Sequence, residues 1–233
     1  DSSGAGLTAG TGTIMISGSI SELDIDSATS ASGGTFSVLG VSSSKNLDAD
    51  VSVAGGNISL VTDGAINLNA GDLIATGTGA ISLTADNDGS GAGDLTIVSA
   101  GADLDEKIRT GSGSITLEAK DVIVDDFGLS STGTVSITAS NEIYSSAVAN
   151  TSPDIEAGTL DLESGSSGVG QSGGGTLEFA ATTKTDVESA GAVMLTSTTN
   201  LPLGKLEIVG SAANVSVSAT GNITDYDGTA SDD

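Results

Sequence analysis

Oxygen-bearing side chains are the only abundant chemical groups in this chain. It has 31 Asp and Glu, no His, no Cys and no Trp, and Arg109 is its only arginine. Their densest run is Asp86, Asn87, Asp88, Ser90 and Asp94, interleaved with Gly89, Gly91 and Gly93. Alternating oxygen ligands on a glycine-rich bend are what a calcium loop needs. The Glu that closes an EF-hand twelve residues on is missing, because Ile97 stands there. Asp225, Asp227 and Gly228, with the terminal Asp232 and Asp233, repeat the theme more weakly. Two expectations follow: an acidic loop bulging from the fold, or a loop that calcium neutralises and so stiffens. Tandem Gly-Gly-x-Gly-x-Asp repeats, the sign of a calcium-binding β-roll, are absent.

Catalysis finds little support in the same inventory. Sites that cleave polysaccharides pair carboxylates with cations and stack sugars on aromatic rings; here paired carboxylates arise simply from the net charge of −25. No catalytic, cofactor-binding or metal-ligating residue is assigned, and the chain is expected not to be an enzyme. The negative charge repels nucleic acid and anionic lipid, so neither is expected as a partner. It favours solubility and suits surroundings where salt or divalent ions screen the repulsion. Lack of Cys removes disulfides and thiolate metal sites. Apolar runs reach only three or four residues, as at Val122 to Val124, far short of a membrane-spanning helix. The start at Asp1 suggests a fragment or a processed chain.

The elements that must carry these groups are announced by a repeat. Glycine, at 34 of 233 residues, is about twice as common as usual. It opens a motif, Gly, any, apolar, any, apolar, at Gly12, Gly34, Gly56, Gly64, Gly79, Gly93, Gly113, Gly133, Gly158, Gly175, Gly191 and Gly204. A degenerate copy spans Ala213 to Val217. Two apolar residues two apart share one face of a strand, and the glycine permits a bend before it. Helical periodicity is nowhere sustained. Gly12, Gly34, Gly56 and Gly79 recur at nearly constant intervals, and Gly93, Gly113 and Gly133 at equal, slightly shorter ones. Ile66 to Leu68 and Leu73 to Ala75 add two strands within one interval.

Three short strands per repeat predict an all-β chain folded as a right-handed parallel β-helix of about 20 residues per coil. The repeat runs over residues 1–233 as a single elongated domain. At that length it makes 11 or 12 coils and a rod of about 55 Å. The alternative is an antiparallel β-sandwich, which also has short strands at regular spacing. Residues 98–112, 139–157 and 163–175 exceed what a coil needs and are expected to project as loops. An ice-binding array requires a Thr-x-Thr column recurring coil after coil, and none is present. Four Asn-x-Ser/Thr triplets, at Asn57, Asn150, Asn214 and Asn222, carry no weight in so Ser- and Thr-rich a chain.

The runs GAISLTA (Gly79 to Ala85), GSITLEA (Gly113 to Ala119) and GTVSITA (Gly133 to Ala139) resemble the shaft repeats of filamentous-haemagglutinin-type adhesins and other giant bacterial surface proteins. The resemblance covers roughly residues 12–224. It implies export, display outside a bacterial cell, and a role as stalk, adhesin or matrix fibre. Expected partners are the chain itself, stacked end to end or side by side, or neighbouring segments of the same long chain, because a rod's terminal edges invite pairing, and host or surface glycans. The Asn-Pro-rich motifs of the family's secretion domain are missing, since neither Pro153 nor Pro202 follows Asn.

Overall fold

The computed structural model describes residues 8–20, 23–25, 29–41, 44–98, 107–125, 127–146, 152–170, 176–210 and 214–226. These residues form 22 strands and no helix. The pairing between coils is parallel throughout. An antiparallel sandwich is therefore excluded, and the chain is a β-solenoid.

Three faces make up each coil. In the first, face A is Thr8–Ala9, face B is Ile14–Ile20 and face C is Leu23–Ile25. The next coil stacks Thr29–Ser32, Phe36–Val41 and Lys45–Leu47 in the same order. Later strands run on around corners, so Leu129–Ser145 contributes to all three faces in turn.

Face B counts the coils. Ile14, Phe36, Ile58, Ile81, Ile115, Val135, Leu160, Thr185 and Leu203 stand in one column. The steps between them are uneven, longest from Ile81 to Ile115 and shortest from Thr185 to Leu203. The column makes about eight turns of about 22 residues, where the sequence predicted 11 or 12. Eight steps give a described rod of about 40 Å. Two features account for the excess. Long excursions, above all between Ile81 and Ile115, consume chain without advancing the stack. Each coil is also longer than predicted, about 22 residues against about 20; the glycine motif itself opens face C as well as face B, as at Gly64, Gly93 and Gly191.

The interior is aliphatic and narrow. Ile58, Leu60, Ile66, Leu68, Leu83, Ile115, Leu117 and Ile137 are wholly buried, with Phe36 and Phe179 the largest apolar groups among them. Alternation follows from the pleat, as in Ile58–Thr62, where buried and half-buried residues alternate. The opening glycines are required by contact. A Cβ on Gly34, Gly56, Gly79 or Gly113 would strike the carbonyl of the glycine one coil earlier. Close stacking of backbone on backbone thus fixes the residue type at this corner.

The long intervals are partly strand. Ile108–Thr110, the end of Leu129–Ser145 and the start of Ile155–Ser164 belong to the ladder, and residues 99–106 and 147–151 of the predicted loops lie outside the described residues. In the third interval Val169 pairs with Val193 and Leu177 with Leu195. More chain thus separates Val169 from Leu177 than separates their partners, and residues 171–175 of that insertion lie outside the described residues.

Candidate functional site

Asp86 begins the acidic loop with φ of 54°, a left-handed conformation that Asp tolerates better than most side chains. Its carboxylate turns into the loop. One oxygen accepts from the amides of Gly91 at 2.8 Å and Ala92 at 3.2 Å, and from the Ser90 hydroxyl at 3.1 Å. Asp88 accepts from the Ser90 amide at 3.1 Å. The loop therefore closes around its own anion with N–H donors, the arrangement that attracts negative charge. Among the described residues no three His, Cys, Asp or Glu side chains converge as a metal site would require. Of the similar C-terminal run, Asp227 to Asp233 lie outside the described residues.

Beside this loop, a groove of about 590 Å³ follows the corner between faces B and C. Ala85, Ala119 and Ala139 form its floor, and Glu118, Thr138 and Glu163 line one wall. Register puts Glu118, Thr138 and Glu163 on successive coils. The two carboxylates therefore stand two coils apart, about 10 Å along the rod. Among the described residues no lysine, arginine or ring lines the groove.

The outer wall column continues as Glu188 and Glu207. Lys205 bridges these two at 2.6 and 2.7 Å, and its ammonium is held well above the usual lysine range by both hydrogen bonds. Lys184 meets Asp186 at 2.6 Å. Neighbouring Asp161 is pushed up by burial and then by the charge of Asp186.

Two lysines are wholly buried, a feature that the sequence reading missed. Lys107 pairs with Asp72 of the preceding coil at 3.0 Å. Lys45 occupies an interior column between Leu23 and Ile66, and its Nζ donates to the Val61 carbonyl. Burial lowers its pKa to about 8, against an opposing pull from Asp63. Lys45-Asn46-Leu47 does fit the x-any-apolar pattern of face C, so the stacking of aligned repeats was the available signal.

The first and last coils of the described stretch are less buried than those between them. Among the described residues, core members that are only partly buried lie in the first and last coils: Ala9, Ile14 and Ile16 in one, Leu203, Leu206, Ile208, Val217 and Ala219 in the other. Met15 is 63% exposed, Val215 45% and Ile223 53%. No protein-family profile matches the chain, and searches of curated proteins and of solved structures return no similar protein.

Proposed function

We propose that this chain is a structural shaft segment of an extracellular bacterial surface protein, serving display, adhesion or fibre formation without catalysis. The observation that carries the reading is the parallel ladder of the described residues, in which about eight turns share one aliphatic interior. In such a solenoid each coil contacts only its neighbours, so added coils add length, and rigidity scales with the stack. The high acidic charge keeps a long rod dispersed and its flanks apart. Resemblance of the Gly79, Gly113 and Gly133 repeats to adhesin shafts supports display outside the cell.

The test is antibody labelling of intact source cells before and after permeabilisation, with protease shaving alongside. Labelling and cleavage on intact cells are expected. Signal that appears only after lysis would refute surface display.

A further inference from the structure

We propose that the groove at the corner between faces B and C binds a linear aliphatic polyamine, with its ammonium groups on Glu118 and Glu163. The inference does not rest on the shaft reading and concerns a flank of the rod.

The groove spans four successive coils, from Thr84 and Ala85 to Glu163 and Ser164. Its floor is recessed because Ala85, Ala119, Ala139 and Ser164 are all buried and all short. Along one wall Glu118 and Glu163 are exposed, with Thr138 on the coil between them. Among the described residues neither of these carboxylates meets a cation or a hydrogen-bond donor. The Asp86 carboxylate, at one end of the groove, is spent on the amides of its own loop. Lys120 is engaged by Asp121 at 2.7 Å and Asp94 at 3.5 Å, in the face C strands.

The same column shows what such a wall accepts. Glu188 and Glu207 continue it by register, and the Lys205 ammonium sits between them at 2.6 and 2.7 Å. There the chain supplies an alkylammonium from its own strand. At Glu118 and Glu163 it supplies none, and a net charge of −25 attracts cations from solution.

Shape and chemistry narrow the ligand. The two carboxylates stand about 10 Å apart along the rod, whereas a metal ion holds its oxygen ligands within about 2.6 Å and so reaches only one of them. A peptide laid along the corner finds little backbone to pair with, since Ala85 donates its amide to Glu118 and Gly165 donates to Ala139. A sugar finds no stacking platform, because no ring lines the groove among the described residues. An aliphatic polyamine needs neither. Its methylenes lie on the alanine floor, its outer ammoniums reach Glu118 and Glu163, and an inner one donates to the Thr138 hydroxyl.

Calorimetric titration of the full chain with spermidine tests this at fixed ionic strength. Hexaamminecobalt(III), of equal charge but compact, is the control for diffuse attraction. Spermidine is expected to saturate one site per chain. E118Q and E163Q should each weaken that site about fivefold, while E156Q, which removes an equal charge from face A, should leave it unchanged. All three exchange an exposed side chain and should keep the wild-type β spectrum. Hexaamminecobalt should respond to the three variants alike. Spermidine binding that never saturates overturns the proposal, and so does an E156Q loss equal to that of the groove variants. Saturation by octalysine but not by spermidine also overturns it, because the groove then serves basic peptides. The surface-labelling test of the shaft reading is unaffected by any of these results.

Discussion

Gly113 and Gly12 occupy the same place in the repeat but differ in what the described residues place beneath them. A methyl group on Gly113 would meet the backbone of Gly79 and the Thr110 hydroxyl, and backbone cannot step aside cheaply. G113A is expected to cost about 3 kcal/mol or more, while G12A should be neutral or gain up to about 1 kcal/mol through the unfolded chain. Urea titration of the two variants checks the contrast, and equal losses would refute the contact account. Lys45 offers a second comparison. The unfolded chain keeps this lysine protonated up to about 10.5, whereas the folded chain releases the proton near 8. Between those values the unfolded state binds more protons, so the Lys45 contribution to stability rises with pH across 8 to 10.5. At neutral pH the full penalty of a buried ammonium applies. K45M should therefore be more stable at pH 7 by on the order of 1–3 kcal/mol, and its advantage should shrink above pH 8. Denaturation at a series of pH values reads the difference; a constant gap would mean that the ammonium is solvated.

Within each coil, corners and strands obey different rules. Strands tolerate any aliphatic residue of suitable size, as Ile58, Ile81 and Ile115 give way to Val135 and Leu160 in one column. Corners demand particular atoms: Thr110 and Ser131 turn inward to donate to the carbonyls of Gly79 and Gly113, at 2.6 and 2.7 Å. The loop at Asp86 is a corner enlarged, held by one carboxylate bonded to its own amides. Calcium at millimolar level is accordingly expected to raise the melting temperature no more than magnesium at equal ionic strength, whereas D86A should lower it through loss of the loop's anchor. A calcium-specific rise that D86A abolishes would reinstate the metal reading. Sequence alone showed why this stretch is a bend, from its glycines, and that oxygen is plentiful there. Which way the carboxylate faces depends on amides brought close by the positive φ of Asp86, and no residue type encodes that. The strands were legible because apolar pairs two apart admit one physical interpretation. Lys45 was not, because a lone lysine among Ser and Asn reads as solvated until its column is assembled.

At the scale of the whole rod, the fold class was readable from glycine spacing, but the number of coils was not. Dividing length by period assumes that all chain advances the stack, and the whole stretch from Ile81 to Ile115 advances it once. Where coils are regular, modularity should be literal. Gly12, Gly34 and Gly56 recur at equal steps, and the ladder sets Ile14 on Phe36 and Phe36 on Ile58. Excising residues 34–55 joins Gly33 to Gly56 and brings Ile14 onto Ile58, with Gly12 beneath Gly56 as it was beneath Gly34. In a globular domain, loss of so long a run removes part of a shared core and unfolds the rest. In a solenoid, stability is a sum of coil terms and nearest-neighbour interfaces, so the shortened chain should still fold. Its strand signal per residue should be unchanged, and its length in small-angle scattering should fall by about 5 Å. Because the excised coil contains Lys45, the gain in stability between pH 8 and 10.5 should weaken with it. Collapse of the shortened chain to an unfolded state would mean that the coils are coupled over more than one neighbour, and that the rod behaves as a single cooperative core.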